Sequence, residues 1–125
     1  VFTARAENFL WNRPDLDDTI RRLQAFAAAG ADVLYAPGIA DIATVETICR
    51  AVSKPVNVLV VPGFTVADLA NAGAKRISLG SKLATFVYGM LQTSAREMLQ
   101  DGTFGFTRAG MPFAKVQELF TKSDT

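Results

Sequence analysis

The chain contains no histidine. That absence removes Ser-His-Asp and Cys-His nucleophile systems, and the common His-containing metal sites, from these 125 residues. A single cysteine, Cys49, excludes an intrachain disulfide and a cysteine-rich zinc site. It argues for a reducing compartment, and a cytoplasmic protein is expected. No apolar stretch approaches the ~20 residues that span a bilayer, so no membrane partner is expected. There is no basic stripe and no run of like charge. With 13 basic and 12 acidic residues the formal net charge is +1, and nucleic acid is not an expected partner. Chemistry must come from carboxylates, Arg, Lys, Tyr, Ser or backbone groups, or from a partner that supplies the missing parts.

What is present is an apolar, ordered-looking chain. Half of the residues are hydrophobic and a fifth are charged, which fits one globular domain. The first residues, "VFTARAE", read as a strand from Val1 to Ala6. Pro14 and Asp15 mark a helix entrance, with Asp17 and Asp18 at the positive end of its dipole. Leu16, Ile20, Leu23, Phe26 and Ala27 recur at helical spacing, and Gly30 closes the helix. "DVLYA" is a second strand ended by Pro37-Gly38. Asp41 to Val52 is a second helix, on whose apolar face Cys49 packs. "VNVLVV" is a third strand, Val66 to Ala72 a short helix, and "RISL" a fourth strand ended by Gly80-Ser81. A long helix from about Lys82 to Gln100 follows, stopped by Gly102. "GTFGFTRAGMP" reads as a loop and Met111 to Phe120 as a last helix.

The order is βα repeated four times. The strands are short and almost wholly apolar, as in a parallel sheet covered on both faces. One block occurs twice: "AGADVLYAPG" at 29–38 and "AGAKRISLGS" at 72–81. Copying of a βα unit around a closed sheet produces such repeats. The expected fold class is therefore α/β, the C-terminal half of a (β/α)8 TIM barrel, with four βα units plus a C-terminal helix. A four-stranded open α/β sheet is the competing arrangement. The expected division is a half-barrel at 1–102 and a loop with helix at 103–125.

The run "TARAENFL … PDLDDTIRRLQAFAAAGADVLYAPGI … KPVNVLVVPGFTVADLANAGAKRISLGSKL" resembles the isocitrate lyase and phosphoenolpyruvate mutase superfamily. It is most similar to the phosphoenolpyruvate-mutase-like and carboxyphosphonate-phosphorylmutase-like members. The resemblance covers nearly the whole chain and places it on the last four strands of that family's barrel, with the first four preceding Val1. It implies a parent enzyme that is a Mg²⁺-dependent lyase or phosphonomutase acting on a small α-oxo acid or phosphonate. The aspartates that hold the metal lie on the earlier strands, so the fragment alone is expected to be inactive. Neither a catalytic residue nor a metal ligand is assigned within the chain.

The resemblance further implies that Arg5, at the arginine position of "AR-x-E", reaches the substrate's carboxylate or phosphonate. A guanidinium at the C-terminal end of a parallel strand faces such a site, and its fork matches an oxyanion. Glu7, two residues on, shares that side of the strand and is a candidate to orient Arg5. The lyases carry Pro-Glu where this chain has "YAPG", which puts Pro37 at the glutamate position. They also carry an asparagine aligned with Leu59. Both departures point away from isocitrate and methylisocitrate lyase activity. Asn57 lies two residues before Leu59. An amide in mid-strand needs partners, and a substrate contact and a structural hydrogen bond both meet that need.

Gly80 and Ser81, between strand end and helix start, are a candidate anion site, with a simple helix cap by Ser81 as the alternative. Phe104, Phe106, Phe113 and Phe120 are expected to cover the barrel or a neighbouring subunit. In the resembled family the last helices are exchanged within a dimer, and "MPFAKVQELF" fits that role. The expected partners are thus a small acid, a second copy, or the missing N-terminal half. Two other functions remain open: a non-catalytic half-barrel that self-associates, and a phosphate-binding barrel half of another family.

Overall fold

The computed structural model describes residues 1–121. Four strands, β1 (Thr3–Arg5), β2 (Val33–Tyr35), β3 (Val56–Leu59) and β4 (Arg76–Ser78), form one sheet in the order β1-β2-β3-β4. All three pairings are parallel. Helices α1 (Leu16–Ala28), α2 (Ile42–Ala51) and α3 (Val66–Asn71) connect them. The order of elements and the parallel pairing are those expected for successive βα units of a barrel. The described chain divides into two compact units, one ending at Gly80 and one beginning at Ser81.

Each connecting helix starts on the same device. The side chains of Asp15, Asp41 and Thr65 accept hydrogen bonds from the backbone N–H groups of Asp18, Thr44 and Asp68, at 2.8, 2.8 and 3.1 Å. Each oxygen satisfies one of the donors that a helix start leaves unpaired. The repeated Ala-Gly-Ala explains two of the helix ends. Gly30 (φ +101°) and Gly73 (φ +96°) take left-handed backbone. The amide of Ala31 then donates to Phe26 and that of Ala74 to Leu69, both at 3.0 Å. Those six-residue closures satisfy the last carbonyls of α1 and α3. The following residues, Asp32 and Lys75, donate at once to Phe2 and Val56 of the neighbouring strand, at 2.9 and 3.0 Å. The repeat is one helix-to-strand joint used twice.

The core of the first unit lies between the sheet and its helices. Leu34 of β2 and Leu23 of α1 are fully buried, with Val45 and Ile48 of α2 and Leu69 of α3 beside them. Ala4, Val56 and Val58 fill the remaining strand positions of that layer. Their alternation with Arg5 and Asn57 follows from the two-residue period of a strand.

The helix α4 (Lys82–Arg96) continues as a π-helical turn over Glu97–Asp101, ended by Gly102 at φ +65°. Within the expected loop, Gly105–Ala109 forms a 3-10 turn. Its cause is Glu97, whose carboxylate accepts from the Thr103 hydroxyl (2.8 Å), the Gly105 amide and the Phe106 amide (3.1 Å). The last helix is α5 (Phe113–Thr121). No described helix is long and apolar enough to cross a membrane.

Candidate functional site

The sheet register aligns four side chains in one row. Arg5 pairs with Tyr35, Tyr35 with Asn57, and Asn57 with Arg76. Register partners in a parallel sheet project to the same face. The alternate residues Ala4, Leu34 and Val58 pack in the core with the helices, so the row faces away from them. In a closed barrel this is the lumen face.

Arg5 is held from two sides. Its guanidinium lies 2.7 Å from Glu7 Oε1 and 5.1 Å from the centre of the Tyr35 ring. The other Glu7 oxygen accepts from Trp11 Nε1 at 2.9 Å. One carboxylate thus ties the strand end to the loop that follows it. Half of the Arg5 side chain remains exposed, which leaves a guanidinium edge free for an incoming oxyanion. The loop is itself fixed against the turn after β2. A Cβ on Gly38 (φ +96°) would stand 2.7 Å from the Leu10 amide nitrogen, so only glycine permits that approach. Further along, Asn8 donates to Asp18 at 2.7 Å. The hydrogen bond from Asn8, then that from Arg22, hold the Asp18 carboxyl below its ordinary value. An open cavity lined by Glu7, Asn8, Trp11, Arg13 and Arg22 lies along this loop.

Asn57 is 1% exposed. Its Oδ1 accepts from Arg76 Nη1 at 3.2 Å and its Nδ2 donates to Ser78 Oγ at 3.1 Å. Both amide atoms thus have partners on β4. Gly80 takes φ +57° at the end of β4. Ser81 takes the cap position of α4 in helical backbone, and its hydroxyl makes no cap hydrogen bond. Neither residue belongs to the row. Burial raises the Cys49 thiol above its ordinary value, against the pull of Lys75, in keeping with a packing role.

Sequence reasoning assigned no role to Tyr35, Trp11 or Arg76. A signal existed for two of them. Tyr35 ends β2 and Arg76 opens β4 with polar groups, but only register shows that they stand beside Arg5 and Asn57.

The sequence profile of phosphoenolpyruvate phosphomutase matches residues 1–99. The chain belongs to the phosphoenolpyruvate phosphomutase family. A solved Burkholderia cenocepacia protein described as a lyase/mutase is 46% identical, with a TM-score of 0.90 over 98% of this chain and 45% of its own. A solved phosphoenolpyruvate phosphomutase from Streptomyces platensis subsp. rosaceus is 25% identical, with a TM-score of 0.76 over 94% of this chain and 43% of its own. An uncharacterized Mycobacterium tuberculosis protein is 38% identical over 83 residues, which are 65% of this chain and 32% of that protein. The chain thus spans less than half the length of the relatives it matches, and it corresponds to the C-terminal half of the family's TIM barrel. Family membership also removes the reading as a barrel half of another family.

Among the described residues no three His, Cys, Asp or Glu side chains come together to hold a metal ion.

Proposed function

We propose that this chain forms the acid-binding half of a lyase or phosphonomutase acting on a small α-oxo acid or phosphonate. The observation that carries the reading is Arg5. Its guanidinium stands at the C-terminal end of a parallel strand, clamped by Glu7 and backed by the Tyr35 ring. Enzymes built on βα barrels place their reacting groups at that end. A guanidinium held before the ligand arrives loses little freedom on binding, and it offers paired donors to a carboxylate or phosphonate. Charge that develops on the bound acid is met by donors already in place. Membership of the family supports a reaction of this class. The solved relatives extend well beyond the aligned region, so the reading assigns the remaining machinery, and any Mg²⁺ site, to four further strands.

The test joins this chain to the preceding half-barrel of its parent and measures turnover of oxaloacetate and of a phosphonate with added Mg²⁺. Turnover by the joined protein that collapses on Arg5→Ala supports the reading. Full turnover by the 125-residue chain alone contradicts it.

A second reading rests on the sheet edges. With the order β1-β2-β3-β4, strands β1 and β4 each have one unpaired edge. Such edges favour pairing, and two copies of the chain could complete eight strands. Light scattering separates the readings: a monomer at high concentration removes this one.

A further inference from the structure

The lumen face carries a second guanidinium, on the opposite strand of the sheet from Arg5. Arg76 is exposed, while the amide that receives it, Asn57, is buried. A guanidinium has donors only, so the amide atom 3.2 Å from Nη1 is the oxygen. The amide nitrogen must then face Ser78, whose hydroxyl reaches the Val58 carbonyl at 3.4 Å. The hydrogen bonds run in one direction, from Arg76 through Asn57 and Ser78 to the backbone of β3. Nothing in that chain carries a negative charge. Among the described residues Arg76 has no carboxylate within ion-pair distance, whereas Arg5, Arg21, Arg22 and Arg50 each have one. A buried neutral amide orients this cation and leaves its charge unbalanced.

We infer that Arg76 is a second oxyanion-binding group of the lumen face, positioned by Asn57, and that it takes a carboxylate. The inference rests on the lumen face being the binding face. Three strand spacings separate β1 from β4, about 14 Å along the sheet. Arg76 therefore forms a subsite distinct from the Arg5 clamp. Asn57 serves as the positioning residue and Arg76 as the contact. The carboxylate has two possible sources: a small acid in the lumen, or an Asp or Glu side chain of the complementary strands.

Oxalate titration tests this on the chain with isotope-labelled arginine, reading each guanidinium N–H by NMR. Loss of one signal in Arg76→Lys identifies the reporter. The Arg5 and Arg76 signals are expected to move and saturate, while Arg50, tied to Glu46 on α2, stays still. Ser78→Ala frees the Asn57 amide and is expected to weaken the Arg76 response about threefold. Asn57→Asp sets a fixed carboxylate against the guanidinium and is expected to abolish it. Movement of Arg5 without Arg76 overturns the inference and leaves the proposed function standing; stillness of both removes both. Repeating the titration after joining the complementary half-barrel identifies the source. An Arg76 signal that still follows oxalate assigns a small acid. One displaced on joining and then deaf to oxalate assigns a side chain of the other half. One unmoved by joining and by oxalate overturns the inference.

Discussion

Arg5 and Tyr35 are register partners on adjacent strands, and the guanidinium carbon of the first lies 5.1 Å from the ring centre of the second. The face of the ring stabilises the cation without taking up any of its N–H donors. Replacing Tyr35 by Leu removes the aromatic face and keeps an apolar side chain. Oxalate affinity at Arg5 is expected to fall about threefold to tenfold, and Tyr35→Phe is expected to restore most of it. Titration of the two variants decides the matter.

Arg5→Lys retains the charge but loses the planar fork. In the joined protein kcat/KM is expected to fall at least about tenfold, because a single ammonium cannot hold a carboxylate in two-point register. A steady-state comparison with Arg5→Ala separates charge from geometry: near-wild-type kinetics in the lysine variant would refute a two-point contact.

Glu7→Gln tests the clamp. The amide can still accept from Trp11 but no longer balances Arg5. Both partners are partly exposed, so the stability change should be small, about 0.2–1 kcal/mol. Indole fluorescence should change little, whereas the Arg5 N–H signal should broaden as the side chain gains freedom. A large loss of stability would show that the pair supports the fold instead.

Gly38→Ala places a methyl group against the backbone of Phe9 and Leu10 at a left-handed position. The expected cost is about 1–3 kcal/mol, measured by urea unfolding. The Trp11 environment should shift even in the folded variant, since the displaced segment is the loop that carries it.

Two carboxyls give stability a specific pH dependence. Asp18 is depressed chiefly by the Asn8 and Arg22 hydrogen bonds, and Glu97 chiefly by the Thr103 hydroxyl and the Gly105 amide. Each folded-state value lies below the unfolded one. The contribution is therefore complete above the ordinary carboxylate range and is lost as pH falls through the folded values. Protection of the Gly105 and Phe106 amides, taken relative to their intrinsic exchange rate at each pH, should fall on acidification, and Glu97→Gln should show low protection at every pH. Protection that persists in that variant would assign the turn to other forces.

The fold was largely legible because its signals are local. Asp15, Asp41, Gly30 and Gly73 act within a few residues of themselves, and the duplicated Ala-Gly-Ala announced its joint twice. The expected start of β1 at Val1 moved to Thr3, where register pairing with β2 begins. The 3-10 turn at Gly105–Ala109 was not legible, because its cause, Glu97, lies eight residues from the first amide it holds. Of the candidate site, Arg5 and Glu7 could be paired from sequence since Glu7 follows the strand end by only two residues. Asn57 could be flagged but not interpreted.

The sequence by itself determined where the three connecting helices begin and end, the apolar faces that enter the core, and that an arginine closes the first strand. Those outcomes follow from side-chain period and backbone preference. Only the tertiary structure decided that Arg5, Tyr35, Asn57 and Arg76 form one row. That relation depends on the register of three strand pairs, set by how α1, α2 and α3 pack between them, and no short-range preference carries it.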